Sequence, residues 1–191
     1  RGSGMEGFGL PRLLAQLVIE YADGTQKIIA SDETWKVTSK GPIVANNEFD
    51  GEEYDMRKEL SGWNVSGYND AAWKNADIMS VPCKRLRAQP CPSVAVMERL
   101  RPLSVTRLAS GKVLIDMGQN MVGRLNASFQ GKEGQKVIMR FAELINPDST
   151  LYVANLRTAQ ATDVFTPAAD GRFSWAPVFV YHGFRYVEID G

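Results

Sequence analysis

The chain has one histidine, two cysteines and no excess of charge, its 22 lysines and arginines standing against 22 aspartates and glutamates. Each shortage removes a class of function. Balanced charge gives no general electrostatic reason to expect nucleic acid or an anionic membrane as partner. No apolar run approaches the roughly 18 to 20 residues needed to span a bilayer, so membrane insertion is not expected. Arg1-Gly-Ser-Gly-Met5 has no apolar core of the kind a signal peptide carries, and the chain is expected either to be mature or to lack its natural beginning. No Gly-x-Ser-x-Gly elbow occurs, which makes His182 a poor triad member and a better structural histidine among aromatics. Gly2, Gly4, Gly7 and Gly9 are too loosely spaced, and lack the Gly-Lys-Ser/Thr ending, for a phosphate loop. Cys83 and Cys91, with Pro82, Pro90 and Pro92 around them, fit neither a zinc nor a redox motif. Free or buried thiols are preferred to a local disulfide, and they mark no compartment.

Strand and turn signals dominate what is there, and no long stripe of period 3.6 is found. A chain of 191 residues buries roughly 70% of its unfolded surface, enough for one or two cores without a staple. Residues 14–21 place Ala15, Leu17 and Ile19 on one alternating face, Asp23-Gly24 supplies a turn, and Lys27-Ile-Ile-Ala30 returns, a hairpin pattern. Residues 35–38 form a short aromatic and β-branched run closed by Gly41-Pro42. Residues 46–75 read as loop chemistry around large apolar anchors, with Asp70-Ala-Ala-Trp73 the start of at most one helical turn. Pro82, Pro90, Pro92 and Pro102 disfavour helix and central strand alike. They place a boundary near residue 85, dividing the chain into 1–85 and 86–191. Beyond it, residues 112–116, 124–129, 136–141, 162–165, 172–175 and 178–189 read as strands, with Val137, Met139 and Phe141 alternating inward. The fold class expected is all-β, an antiparallel β-sandwich in two units. No internal repeat is visible, so the two units should differ.

Candidate sites are few. Asp50, Glu52, Glu53 and Asp55 supply part of the roughly six to eight oxygens that calcium takes, which makes Asp50, Glu52 and Asp55 weak metal candidates. Their order is not that of a calcium loop, and pairing with Arg57 and Lys58 on a solvated loop is preferred. A glycosidase pair needs carboxylates roughly 5 to 10 Å apart across a sugar-sized cleft, which one loop rarely provides. No cofactor is therefore assigned. Sugars present apolar ring faces and many hydroxyls, so their sites join exposed aromatics to fixed polar groups. Trp63, Tyr68 and Trp73 near Asn64, Asn69 and Asp70 form one candidate surface, and Asn120, Asn155 and Arg157 another. Core tryptophans pinning a loop are the preferred alternative for the first. Gly118, Gly123 and Gly183 suggest turns with positive φ or close backbone approach, and Asp116 is expected to pair with Arg185.

The motifs themselves are informative in order. Asp50-Gly-Glu-Glu-Tyr-Asp-Met-Arg57, Asp116-Met-Gly-Gln-Asn120, Phe141-Ala-Glu143, Asn155-Leu-Arg157 and Tyr181-His-Gly-Phe-Arg-Tyr186 together resemble the sandwich region of bacterial α-L-rhamnosidases of glycoside hydrolase family 78. The resemblance implies that the chain begins partway through the family's N-terminal sandwich and continues through its concanavalin-like sandwich. It also implies that the acid and base of an inverting mechanism sit in an (α/α)6 barrel beyond these residues, so that no catalytic residue is carried here. The segment is expected to be inactive and to pack against that barrel, with a carbohydrate-binding module for rhamnose or related sugars as the alternative. Rhamnose-containing glycans are candidate partners. Family habit implies a periplasmic or secreted parent, and a sheet edge left open by absent strands would favour self-association.

Overall fold

The structure, a computed structural model, describes residues 12–80 and 87–191. The N-terminal glycines, Cys83 and the boundary near residue 85 lie outside them, while Cys91 is a free, exposed thiol. In chain order the strands are β1 (Gln16–Glu20), β2 (Gln26–Ala30), β3 (Lys36–Val37), β4 (Ile43–Asn47), β5 (Gly51–Asp55), β6 (Lys74–Asn75), β7 (Ser104–Arg107), β8 (Val113–Gly123), β9 (Ala127–Gly131), β10 (Val137–Ala142), β11 (Leu144–Ile145), β12 (Leu151–Tyr152), β13 (Thr162–Thr166), β14 (Gly171–Trp175) and β15 (His182–Asp190). Single 3-10 turns occur at Met56–Lys58 and Ala154–Leu156. The chain is all-β, and its compact units interleave. One comprises the described residues of Arg1–Ser39 and Gly62–Pro90, the other Lys40–Ser61 and Cys91–Gly191.

In the first unit β1 and β2 form the expected hairpin, Leu17 opposite Ile29 and Val18 opposite Ile28. Its turn is held by Asp23 Oδ1, which accepts from the Thr25 amide at 2.9 Å and the Thr25 hydroxyl at 2.7 Å, while Gly24 takes a φ of 83°. β3 pairs with β6.

The second unit is built on a seven-stranded sheet in the order β4-β5-β13-β10-β15-β8-β7. All its pairings are antiparallel except β5 with β13, which is parallel. Val137, Met139 and Phe141 alternate into the core as their spacing predicts, with Phe184 and Val187 equally buried on the neighbouring strand. Those two are three residues apart, an odd spacing that would put them on opposite faces of a regular strand. The irregularity between Phe184 and Tyr186 turns both inward. A second layer comes from β9 and β14, paired with Phe129 opposite Phe173 and Ala127 opposite Trp175. These aromatics close on Phe165 of β13, whose ring centroid lies 5.5 Å from Phe129, 5.6 Å from Phe173 and 5.4 Å from Trp175. Tyr54 stacks on it at 5.9 Å. Each such pair adds about 0.5–1.5 kcal/mol beyond the area it buries.

Two expectations need correction. Residues 51–55, read as part of a polar loop, form β5 inside the large sheet, where Glu52 and Asp55 are buried. Glu52 is satisfied mainly by backbone amides more than a hundred residues away, with Asn46 besides, and Asp55 by a paired arginine, so local composition misrepresents them. Of Gly118, Gly123 and Gly183, only Gly118 has a positive φ, 81°, and a Cβ there would lie 3.3 Å from Leu103. The other two face open space.

Gly51 is the tightest point of the sheet. Its φ is 114°, and a Cβ would come within 2.0 Å of the Thr162 carbonyl oxygen and 2.8 Å of Asp163 Oδ1. Backbone cannot yield as a flexible side chain does, so Gly51→Ala should cost about 3 kcal/mol or more. Gly111, with a φ of 88° but no neighbour within 4 Å, should lose only about 1 kcal/mol as Gly111→Ala. Urea denaturation of both variants checks the difference; equal losses would contradict the steric account.

Candidate functional site

Three polar or aromatic clusters deserve comparison as sites, and the most deeply placed is structural. Asp163 on β13 is completely buried. Its Oδ1 accepts the Glu52 amide at 3.0 Å and lies within hydrogen-bond distance, 3.0 Å, of His182 Nε2. Asp163 Oδ2 has no partner within the described residues. His182 stacks on Phe141 with centroids 4.3 Å apart. The Glu52 carboxylate accepts the amides of Val178 and Phe179 at 3.1 and 3.0 Å and the Asn46 side-chain amide at 3.1 Å. The histidine is thus held as a structural group, in keeping with its aromatic setting in the sequence.

The metal candidates do not converge. Glu52 points at the 178–179 backbone, Asp55 is gripped by Arg57 through Nε and Nη2 at 2.8 Å each, and Asp50 Oδ1 accepts from the Gln160 amide at 3.2 Å. The hydrogen-bonded Arg57 side chain holds the Asp55 carboxyl below the usual carboxylate range. No group of three or more His, Cys, Asp or Glu is arranged to hold a metal among the described residues.

The second cluster is exposed and joins motifs far apart in the chain. Asn120 Nδ2 donates to Glu143 Oε1 at 3.0 Å, and Asn155 Nδ2 donates to Glu143 Oε2 at 3.1 Å. The structure therefore unites Asn120 with Asn155 through Glu143, a residue whose place in the site only its motif hinted at. Arg157, exposed at the end of the Ala154–Leu156 turn, takes a φ of 58°. That is a left-handed value few side chains adopt. On β8, the strand that also carries Asn120, Asp116 is gripped by Arg185 through Nε and Nη2 at 2.8 and 2.9 Å, and Arg185 lies over the Tyr186 ring at 5.0 Å. The pairing expected from residue type is present.

The third cluster is a groove of about 390 Å³ in the first unit, lined by Trp35, Trp63, Tyr68, Trp73, Lys36 and Asp70 among others. It brings together the three aromatics expected from the sequence. Tyr68 and Trp73 meet edge to face at 5.8 Å, and Lys36 Nζ binds Asp70 Oδ1 at 2.7 Å. Trp63 is 62% exposed, which a core tryptophan pinning a loop would not be. Trp35 and Lys36 were not foreseen as lining residues, because β3 reads locally only as a short strand.

The Arg185 side chain, first by its hydrogen bonds, lowers the pKa of Asp116 from the ordinary value of 3.8. A carboxyl depressed in the folded state contributes stability above the unfolded value, and that contribution is lost as pH falls through the lower folded value. Arg185→Gln should therefore destabilise the chain near neutral pH, and the gap to the unsubstituted chain should close as the pH falls through and below the ordinary carboxylate value. Denaturant midpoints at the two pH extremes measure this; a gap that is constant with pH would contradict it.

Comparison with known proteins places the chain in a family. Residues 4–98 match the family model described as the alpha-L-rhamnosidase N-terminal domain, and residues 106–191 match the bacterial alpha-L-rhamnosidase concanavalin-like domain. An alpha-L-rhamnosidase of Streptomyces avermitilis is 45% identical over 184 residues, covering 95% of this chain and 18% of the relative. The crystal structure of a Streptomyces avermitilis alpha-L-rhamnosidase, solved in complex with L-rhamnose, superposes with a TM-score of 0.85 at 43% identity, over 92% of this chain and 17% of that one. The alpha-L-rhamnosidase structure from Dictyoglumus thermophilum gives a TM-score of 0.90 at 38% identity, over 97% and 21%. The chain thus spans about a fifth of the length of the relatives it matches. With two domain matches in the family's order and a β-sandwich that superposes on its solved members, the chain belongs to the bacterial alpha-L-rhamnosidases, of which it carries N-terminal and concanavalin-like regions.

Proposed function

We propose that this chain is a non-catalytic accessory segment of a longer glycosidase that releases terminal α-L-rhamnose from glycans or glycosides. In this reading the acid and base of an inverting hydrolysis lie in a catalytic barrel elsewhere in the polypeptide, and the parent is periplasmic or secreted. The observation that carries the reading is how the carboxylates of the large sheet are used. Glu52, Asp55, Asp116, Asp163 and Glu188 are each bound to a backbone amide, a histidine or a cation of the same sheet assembly. A general acid must reach the leaving oxygen, and its partner must reach a water on the opposite face of the sugar. Carboxylates spent on holding strands together do neither. Their arrangement suits a rigid support.

A second reading, a surface that binds rhamnose or related sugars without cleaving them, is favoured by the groove that joins Trp63, Tyr68 and Trp73 beside Asp70 and Lys36. An exposed indole beside fixed polar groups matches what a sugar ring offers.

Purified residues 1–191, incubated with a chromogenic α-L-rhamnoside, should release no product above buffer; release would overturn the accessory reading. Titration with rhamnose and rhamnosylated oligosaccharides, followed by tryptophan fluorescence, separates the two readings. Saturable binding lost in Trp63→Ala and Trp73→Ala supports the sugar surface, and an absence of binding in the unsubstituted chain leaves the support role alone.

A further inference from the structure

One loop of the second unit presents apolar side chains to solvent while its backbone is held from within. Between β14 and β15, Pro177 and Val180 point inward and are buried, whereas Val178, Phe179 and Tyr181 point outward, Phe179 being 70% exposed. The loop is not free to fold these groups back. Glu52, 1% exposed, accepts both the Val178 and Phe179 amides, and Arg124 Nη1 donates to the Pro177 carbonyl at 2.8 Å. On β8, Val122 lies opposite Gly183 and is 73% exposed. Tyr181 precedes the inward-facing His182, so it stands on the same outer side as Val122, with Gly183 leaving open space between them.

The geometry points to this loop and Val122 as a docking surface for an apolar face contributed by the rest of the same polypeptide. The inference rests on the accessory reading and adds to it the place of contact. Aromatic side chains on a fixed backbone are effective anchors, because little freedom remains to be lost when they are covered. The exposed side chains of the patch, Val122, Val178, Phe179 and Tyr181, are uncharged, and the Arg124 guanidinium at its border is engaged by the Pro177 carbonyl, which calls for a largely apolar occupant. The relatives are about five times as long as this chain, so a polypeptide of their length holds ample surface to cover it. The buried Glu52 carboxylate, which also accepts the Asn46 side-chain amide, holds both loop amides at a desolvation cost that a turn alone does not require.

The test uses the full-length polypeptide expressed from its gene, with a photoreactive benzoylphenylalanine at position 179 and, as control, at position 105. Val105 is also exposed, but lies on the edge strand β7. After irradiation and proteolysis, position 179 should cross-link to peptides outside residues 1–191 of the same molecule, with a yield several-fold above position 105. Cross-links between isotopically distinguishable copies would overturn the inference in favour of self-association. So would links only within residues 1–191, or a yield no higher than the control. The experiment reads contact rather than hydrolysis, so rhamnoside cleavage by residues 1–191 would defeat the accessory reading whatever the cross-link shows, whereas a missing cross-link in an inactive segment defeats only the docking surface.

Discussion

Asp163 is the point on which the second unit turns. A fully buried carboxylate survives only where donors meet it, and here they come from Glu52 on β5 and His182 on β15. One oxygen thus links strands from three distant parts of the chain. The link also explains Gly51. To bring the Glu52 amide to Asp163, β5 must run against Thr162 and Asp163 so closely that no Cβ fits. Parallel pairing of β5 with β13, the single parallel contact in the large sheet, is the geometric result.

From that fixed point the chemistry spreads outward in steps. Glu52, drawn into the sheet by its own amide, turns its carboxylate to the 178–179 backbone. The loop it holds leads directly into β15, where His182 returns to Asp163 and Phe184 enters the core. On the other side of the same strands, Glu188 sits between Lys112 at 2.9 Å and Arg140 at 3.3 Å, joining β15 to β10 and to the start of β8. Polar contacts at one end and on the outer face therefore complement the apolar layer around Phe165. Buried polar links are weak sources of net stability. Their consequence here is geometric, because each one permits only one register.

The alternating strands were legible from the sequence because their pattern is local. Val137, Met139 and Phe141 declare their face by spacing alone, as do the hairpin of Leu17 with Ile29 and the turn at Asp23-Gly24. The Asp116 and Arg185 pair was legible from residue type and motif. β5 was not, since a strand reading Gly-Glu-Glu-Tyr-Asp has the composition of a loop until Asp163, Val178 and Phe179 are known to stand beside it. Asn120, Asn155 and Arg157 were legible as a set, but for Glu143, the residue that joins Asn120 to Asn155, the only signal was the motif Phe141-Ala-Glu143, which does not say what it binds. The groove aromatics were foreseen as a set; that Trp35 completes it depends on the pairing of β3 with β6.

The interleaving of the two units follows from the same physics. A division at residue 85 follows chain order and the density of prolines, yet residues 40–61 cluster with the second unit because β5 finds its hydrogen bonds on β13 and its aromatic contact at Phe165. Backbone groups of a buried strand must be paired somewhere, and β5 finds that pairing on β13 within the second unit. The chain therefore enters the second unit, leaves it, and enters again. Such threading ties the stability of the large sheet to residues 40–61, a segment encoded ahead of much of the first unit.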